Sequence, residues 1–318
     1  MVPPLIDKAR AIHGEDAAWQ AAIRKVAASQ VPDFHRDMLR DHHRNALYKE
    51  ALEWHAKGRT VLDIGTGSGL LAMMAARAGA QHVYACEANP LLAAAALKAI
   101  AANDLSNAIT VLPSHSTALD AKKDLGGGVD LVVSEIFSDD LLSESMLPSL
   151  EHARRELCEP DAIFVPEHAA IEVALAQYDG FQPEATRIEG FDLSAAFDVL
   201  PQAAKHHPEH ERITPVSASA EAFSFDFTSG KSIPAREMRQ IALELTSGTC
   251  NAIAQWLEIR FADDLVYENA PGSDRSLHWY VCLSPCGPFD SDQHPHITVT
   301  AMRDQVGLAL SAQASAKS

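Results

Sequence analysis

The sequence predicts an α/β fold in its first half and an antiparallel β domain in its second, and three observations carry this prediction. In the first half, apolar strand-like runs alternate with helical patterns, which is typical of a parallel sheet with helices on its faces. The first strand runs into the glycine-rich turn "DIGTGSG" at 63–69. After Pro166 the pattern changes to short alternating runs separated by turn residues, as in an antiparallel barrel or sandwich.

The elements of the first half follow in order along the chain. The strands are predicted within 60–69, 82–87, 108–114 and 129–135. The helices are predicted at 70–80 and 89–103, and Asn89 and Pro90 form a favourable start for the second. Since ligands bind beyond the carboxyl ends of parallel strands, the residues that follow these strands are expected to share one crevice.

The domain organisation predicted from these patterns has three parts. Residues 1–56 form N-terminal helices, 57–165 form the parallel α/β domain, and 166–318 form the β domain. The irregular, acidic and aromatic stretch near the start of the β domain predicts an inserted arm at about 178–200.

The composition limits the classes of partner. The 318 residues carry a formal net charge of −17, which repels nucleic acid and membranes and attracts cationic partners, although the surplus acid also favours solubility. No apolar run reaches the ~18 residues that span a bilayer. With five cysteines and no signal-peptide pattern at the N-terminus, the sequence predicts reduced thiols and a cytoplasmic location.

The glycine turn points to the kind of cofactor that it would bind. Asp63 ends the strand two residues before Gly65, and Leu70 stands where a dinucleotide-binding turn would have its third glycine. An acid at Asp63 would repel a pyrophosphate but attract an amino group, and Glu87 stands where an acid accepts hydrogen bonds from ribose hydroxyls. Together, Asp63, Glu87 and the missing third glycine favour S-adenosylmethionine over a dinucleotide as the cofactor. The alternative is that the glycines only pack a helix against a strand, with Asp63 as its cap.

Two glutamates, Glu135 and Glu144, enclose the loop "SEIFSDDLLSES" at 134–145. Glu135 directly follows the apolar run "VDLVVS", so it leaves a buried strand at its ligand-binding end. The alternative reading of the same residues is a solvated acidic loop whose Ser and Asp side chains cap a helix.

From about residue 34 to 285 the chain resembles the protein arginine methyltransferases. The stretch "FHRDMLRDHHRNALYKEAL" (34–52) resembles the helix that closes over the cofactor, and "SEIFSDDLLSES" resembles the double-glutamate loop. The stretch "IFVPEHAAIEV" (163–173) resembles the crossing into the barrel, where the family usually has a cis-proline, and "LHWY" (277–280) resembles the threonine-histidine-tryptophan loop. The resemblance implies a Rossmann-like methyltransferase domain and an antiparallel β-barrel with an inserted dimerisation arm.

Within this family the chain is most similar to the tandem-module type III branch, which stops at monomethylarginine. The similarity rests on "HST" (115–117), "LPSLEHARREL" (147–157), "FSFDF" (223–227) and "LTSG" (245–248). The chain departs from the branch in having one module, Leu277 in place of the loop's threonine, and Tyr280 where a polar residue often follows. A homodimer is expected to replace the tandem arrangement.

The resemblance implies a role for each catalytic residue. Glu135 and Glu144 would grip the guanidinium of an arginine, whose pKa above ~12 keeps it protonated. Their charges would offset its repulsion from a sulfonium, ~4 kcal/mol at ~4 Å and an effective dielectric of ~20. His278, oriented by Asp41, is expected to accept the proton that methyl transfer releases, and Glu144 is the competing acceptor.

The resemblance also implies which residues bind the cofactor and line the substrate pocket. Arg44 is expected to pair with the methionine carboxylate and Ser116 with the adenine edge. Phe137 and Trp279 are expected in the substrate pocket, where the Phe137 ring would leave little room for an already methylated arginine. The expected cofactor-binding residues are His35, Met38, Arg44, Asp63, Gly65, Gly67, Glu87 and Ser116.

The function expected from the sequence is therefore methylation of arginine in basic proteins or peptides, giving monomethylarginine, with no metal, no direct nucleic-acid contact and no membrane contact. The histidine-rich "KHHPEHE" (205–211) matches no metal-ligand spacing. Two alternatives stay open, namely a small-molecule methyltransferase that uses S-adenosylmethionine and an inactive scaffold that binds arginine motifs.

Overall fold

The computed structural model describes residues 16–32, 34–181, 187–197, 203–210, 212–262, 264–273 and 278–315. The predicted arm at about 178–200 is described only in part, and Leu277 lies outside the described residues. Within the described ranges, no helix has the length and apolar character needed to cross a membrane.

Among the described residues, three helices precede the first strand, namely α1 (Ala17–Ala28), α2 (Phe34–Arg40) and α3 (His42–His55). The sequence predicts one helix over 34–52, and this prediction is wrong because the helix breaks at Asp41. The backbone of Asp41 is not helical (φ −71°, ψ 88°), and its side chain accepts a hydrogen bond from the backbone N–H of Arg44. Asp is a strong N-cap residue, so it separates α2 from α3.

The first domain is built on a five-stranded parallel sheet with the order β3-β2-β1-β4-β5. Its strands are β1 (Thr60–Ile64), β2 (His82–Cys86), β3 (Ile109–Leu112), β4 (Val129–Ser134) and β5 (Cys158–Val165). The connecting helices are α4 (Leu70–Arg77), α5 (Pro90–Ala102), α6 (Ala121–Asp124) and α7 (Met146–His152), with a π-helical turn at Ala153–Leu157. The cap of α5 is Asn89 and its first residue is Pro90, as predicted.

The second domain begins after the cis peptide bond between Val165 and Pro166. Its larger antiparallel sheet contains β6 (His168–Tyr178), β9 (Ala204–His206), β10 (Ile213–Pro215), β11 (Ala220–Asp226), β13 (Thr249–Ala262), β14 (Leu265–Glu268) and β15 (Val281–Asp290). A smaller sheet contains β12 (Glu237–Glu244), β16 (His296–Arg303) and β17 (Leu308–Ala314). In the arm, the structure shows the hairpin β7 (Arg187–Ile188) and β8 (Phe191–Asp192), followed by α8 (Ser194–Phe197).

The predicted barrel domain consists of two antiparallel sheets. Strand pairing in the described part of the chain gives a seven-stranded sheet and a three-stranded sheet, not one closed ring of hydrogen-bonded strands. Residues from both sheets, such as Phe223 and Val299, belong to one hydrophobic core. The sheets therefore enclose a shared interior in the manner of a barrel.

The N-terminal helix α3 packs between the two domains. Tyr48 on α3 is fully buried, and its hydroxyl donates a hydrogen bond to the backbone oxygen of Ser134 at the end of β4 (2.7 Å). Its ring meets the edge of Phe261 on β13, with 4.5 Å between ring centroids. These contacts fix the end of β4, from which Glu135 emerges, relative to the β domain.

Truncation of Leu62 to alanine tests the placement of β1 in the core. Leu62 is fully buried in the centre of the parallel sheet, so Leu62→Ala is expected to lower the free energy of unfolding by about 2–5 kcal/mol. The matched control is Leu97→Ala on α5, whose side chain is 52% exposed and whose loss should cost less than about 0.5 kcal/mol. Urea unfolding followed by circular dichroism measures both, and equal losses would contradict this placement.

Candidate active site

A cavity of about 360 Å³ lies beyond the carboxyl ends of β1, β2 and β4, where ligands bind in parallel sheets. Helix α2 contributes Phe34 to its wall, and Pro32 lies beside it. Eight of the residues predicted from the sequence also line the cavity, namely His35, Met38, Gly65, Gly67, Glu87, Ser116, Glu135 and Glu144. The glycine turn and the glutamate pair therefore share one cavity.

The turn after β1 brings its backbone to the cavity because its glycines adopt left-handed conformations. Gly65 has φ 73° and Gly67 has φ 54°, values that L side chains rarely adopt. A methyl group on Gly65 would lie 2.5 Å from Cγ2 of Ile136. The N–H of Gly67 donates a hydrogen bond to Oε2 of Glu87 (2.9 Å), so an acid of the cavity wall holds the turn in place.

Asp63 lies beneath the turn and is not among the residues that line the cavity. Its Oδ2 accepts hydrogen bonds from the hydroxyl of Thr66 (2.5 Å) and the backbone N–H of Ala72 (3.0 Å). Burial raises the pKa of Asp63 to about 7, against the effect of these two hydrogen bonds. Asp63 thus joins the turn to α4. This contact is the one expected from the alternative in which Asp63 caps the helix. Its Oδ1 has no partner in the described part of the chain, and contact with an amino group stays a prediction.

Two further residues of the wall present polar atoms to a ligand. Ser116 is buried, and its hydroxyl has no hydrogen-bond partner among the described residues. A buried hydroxyl without a partner costs about 1–3 kcal/mol, so a ligand atom is expected there. Glu87 accepts hydrogen bonds from the backbone N–H groups of Gly67 (2.9 Å) and Asn89 (2.7 Å) and still lines the cavity.

The two glutamates of the loop differ in their surroundings. Glu135 contacts two cationic side chains, with its Oε2 3.1 Å from Nη2 of Arg44 and its Oε1 3.5 Å from Nε2 of His278. For Glu144 the described residues provide no cation within ion-pair distance. Partial desolvation, followed by the charges of Glu135 and Asp139, raises the pKa of Glu144 to about 7, although the residue keeps an exposed surface. Glu144 is therefore the carboxylate that lacks a counter-ion.

The predicted pair of Asp41 and His278 is present, with Oδ2 of Asp41 3.2 Å from Nδ1 of His278. Burial would lower the pKa of His278, but its hydrogen bonds to Asp41 and Glu135 outweigh this effect and raise it. The hydroxyl of Tyr267 also donates to Oδ2 of Asp41 (2.6 Å). Sequence reasoning missed Tyr267, because no local pattern separates it from an ordinary core tyrosine of a strand.

Arg44 does not lie on the cavity wall, where the sequence analysis expects it to meet a methionine carboxylate. It is buried behind the wall, and its Nη1 donates a hydrogen bond to Oδ1 of Asn45 (2.8 Å) while Nη2 contacts Glu135. Its Nε has no partner within the described ranges. Pairing with a cofactor carboxylate stays a prediction, and the structure adds an ion pair with Glu135.

Phe137 and Trp279 are both buried and do not line the cavity. The Phe137 ring stacks on Phe227, with 6.3 Å between centroids. The indole N–H of Trp279 donates to the backbone oxygen of Phe137 (2.6 Å), and its ring lies 4.1 Å from the ring of His278. These contacts join the loop to the β domain, and a place for Phe137 and Trp279 in a substrate pocket stays a prediction. The effect of Phe137 on product size stays a prediction.

Comparison with known proteins identifies the family. Residues 41–157 match the family model for ribosomal protein L11 methyltransferase (PrmA). An arginine N(omega)-methyltransferase from Streptomyces achromogenes subsp. streptozoticus is 41% identical over 265 residues, which cover 81% of this chain and 72% of the relative. The chain belongs to the arginine N-methyltransferase family. It is an S-adenosylmethionine-dependent methyltransferase.

Other relatives agree with this family assignment. Protein arginine N-methyltransferase 7 of Drosophila melanogaster is 30% identical over 256 residues, but these cover 72% of this chain and only 36% of the fly protein. The fold resembles that of the "Trypanosoma brucei PRMT1 enzyme-prozyme heterotetrameric complex with AdoHcy" (TM-score 0.71, 21% identity, 88% of this chain and 96% of that chain). It also resembles protein arginine methyltransferase 10 of Arabidopsis thaliana (TM-score 0.67, 21% identity, 88% and 95%).

The cavity fits S-adenosylmethionine on chemical grounds. The unpartnered Ser116 hydroxyl suits the adenine edge, and the Glu87 carboxylate suits the ribose hydroxyls. The Nε of Arg44 and Oδ1 of Asp63 are buried outside the cavity wall, without a hydrogen-bond partner among the described residues. In the described part of the chain, no group of His, Cys, Asp and Glu side chains has the arrangement of a metal site.

Substitution of Gly65 tests the close approach at the turn. Gly65→Ala is expected to weaken binding of S-adenosylhomocysteine at least about 10-fold, measured by isothermal titration calorimetry, because the new methyl group would displace Ile136. Gly58→Ala is the matched control, since Gly58 has the same φ of 73° with no atom within 4 Å. Equal affinity in the two variants would show that strain alone, and not the contact with Ile136, matters at Gly65.

Proposed function

We propose that the protein transfers a methyl group from S-adenosylmethionine to the guanidinium of arginine in basic proteins or peptides. The observation that carries this proposal is the unequal pair of glutamates on the wall of the cofactor cavity. Glu135 already contacts Arg44 and His278, whereas the described residues offer no cation to Glu144. Glu144 is exposed on the cavity wall, and a carboxylate there with no cation beside it attracts a further cation. The net charge of −17 favours the approach of basic substrates.

S-adenosylmethionine supplies an electrophilic methyl group when it is bound. The residues of the chain bind and orient the arginine. Carboxylates such as Glu144 grip the planar guanidinium through two parallel hydrogen bonds. Glu135, held in place by Arg44 and His278, orients a second edge of the same group. Much of the rate acceleration then comes from holding one nitrogen in line with the methyl group.

In this proposal Glu144 accepts the proton and His278 holds Glu135. Both ring nitrogens of His278 face carboxylates, and its raised pKa favours the charged imidazolium, which is a poor base. The pKa of Glu144, raised to about 7 by burial and by neighbouring charges, is close to the working pH, as efficient proton transfer requires.

Monomethylarginine is the product that we propose. The support comes from the sequence stretches that resemble the type III branch and from relatives named protein arginine N-methyltransferase 7.

Free arginine is a second candidate substrate. The relative from Streptomyces, of which this chain covers 72%, is named for arginine and not for protein arginine. This observation favours the small-molecule alternative that the sequence leaves open, and it requires free arginine to be tested beside peptides.

The main test is methylation followed by mass spectrometry. Incubation with S-adenosylmethionine and arginine-rich peptides is expected to add the mass of one methyl group to the peptides. Glu135→Gln and Glu144→Gln should each lower kcat/KM by about 100-fold, because each removes one of the two negative charges that hold the substrate guanidinium. The matched control is Glu50→Gln, an exposed change on α3 that should retain wild-type activity.

The outcomes of this test separate the candidates. No mass gain across a broad peptide set contradicts a protein substrate. Turnover of free arginine alone supports the second candidate, and cofactor binding without any turnover supports an inactive scaffold.

We propose that the protein acts as a homodimer in a reducing, cytoplasmic compartment. The arm exposes three apolar side chains, Ile188, Phe191 and Leu193, and such a patch is typical of a protein interface. All five cysteines are free, which supports a reducing compartment.

Sedimentation velocity tests the proposed dimer. Phe191, 71% exposed, is expected to lie at the centre of the interface, so Phe191→Ser should weaken the dimer at least about 10-fold. The matched control is Val306→Ser, a change at another exposed apolar side chain, in the turn between β16 and β17. A wild-type protein that remains a monomer at every concentration would exclude the dimer.

A further inference from the structure

The short strand β9 brings a lysine to the double-glutamate loop. β9 pairs with β15, and this register places Lys205 opposite Cys282, two residues after Tyr280. The Nζ of Lys205 lies 2.9 Å from Oδ2 of Asp139. Asp139 belongs to the loop between Glu135 and Glu144, so a residue far from the sequence motifs contacts the active-site loop.

We propose that Lys205 is a positioning residue of the methyl-transfer site, which holds Asp139 and thereby the loop that carries Glu144 against the β domain. This inference rests on the proposed function for its catalytic meaning. The contact itself and its effect on Glu144 are independent of any substrate.

Asp139 is the point at which the loop is fastened to the β domain. Its Oδ1 accepts a hydrogen bond from the backbone N–H of Tyr280 (2.9 Å), and its Oδ2 binds Lys205. Its backbone oxygen lies 3.4 Å from the side-chain nitrogen of Gln255 on β13. The three partners come from β9, β13 and the segment before β15. Lys205 is the one partner that meets the charge of Asp139 with a full opposite charge.

A second contact places β9 beside the site. The ring of His207, directly after β9, lies 4.5 Å from the ring of Tyr280. Tyr280 follows His278 and Trp279, and the indole of Trp279 binds the backbone of Phe137 in the same loop. The region of β9 therefore supports both the glutamate loop and the histidine segment that faces Glu135.

The charge of Asp139 acts on Glu144. Burial is the largest cause of the raised pKa of Glu144, and the charges of Glu135 and Asp139 follow. His278 opposes the shift and Asp140 adds to it. Lys205 offsets the charge of Asp139, so it limits the repulsion that reaches Glu144. The other titratable side chains on the walls of the same cavity are His35, Cys86, Glu87 and His115.

The expected effect is local, because an exposed ion pair contributes little to global stability. The side chain of Lys205 is 57% exposed, and solvent screens most of the stabilisation that such an ion pair gives to the fold. Substitution of Lys205 is therefore expected to leave the fold intact. The substitution is expected to change the pH at which Glu144 ionises.

The test measures the pH midpoint of the Glu144 carboxyl resonance by NMR of protein labelled with 13C in its glutamates, assigned from its loss in Glu144→Gln. Lys205→Met should raise the midpoint by about 0.3–0.5 pH unit, and Asp139→Asn should lower it by a similar amount. Lys205→Arg should restore the wild-type value. The double variant should behave as Asp139→Asn alone, because Lys205 acts through Asp139. Lys122→Met, an exposed change on α6, is the matched control.

Two results would overturn the proposal, namely an unchanged midpoint in Lys205→Met, or a double variant that differs from Asp139→Asn. In active enzyme, Lys205→Met should lower kcat/KM about 1.5–2-fold at pH 7 and recover at higher pH, since a raised midpoint leaves less Glu144 ionised near neutrality. The resonance is read in the substrate-free protein. A failure of the proposed arginine methylation and a failure of this inference are therefore distinguishable.

Discussion

A buried series of alternating charges joins the three parts of the molecule. Asp41 contacts His278, His278 contacts Glu135, and Glu135 contacts Arg44, whose backbone N–H returns to Asp41. The members come from the N-terminal helices, the β domain and the end of β4. An isolated charge at any of these buried positions would cost several kcal/mol, whereas each member here has an opposite charge beside it. The relative placement of the three parts is therefore tied to the ionisation of the site.

This series makes the two glutamates unequal. Glu135 already has partners, and its role is to keep a fixed orientation. Glu144 lies outside the series, so its ionisation depends on burial and on the charges of its own loop. A site with one fixed and one responsive carboxylate can hold a cation firmly and still exchange a proton with it. If both glutamates had cationic partners, they could hold a cation but would not readily exchange a proton with it.

The sequence predicted the features that depend on local chemistry. The parallel strands, the cap at Asn89, the glycine turn after β1 and the position of Glu135 at the end of β4 all follow from patterns within a few residues. The break at Asp41 could not be predicted, because an acid within a charged helical stretch resembles any surface acid until its distant partners are known. Tyr267 lies 226 positions from Asp41, and Lys205 lies 66 positions from Asp139. Only the folded chain brings these pairs together.

The break at Asp41 also separates two tasks that a single helix would combine. Helix α3 anchors the charged series, while α2 has only seven residues, fewer than the ~12–15 that an isolated helix needs to persist in water. The order of α2 therefore depends on what it covers, including a ligand beneath His35 and Met38. The cover of the cavity is therefore a helix that is not stable by itself. The acids beneath it are held by their own buried contacts.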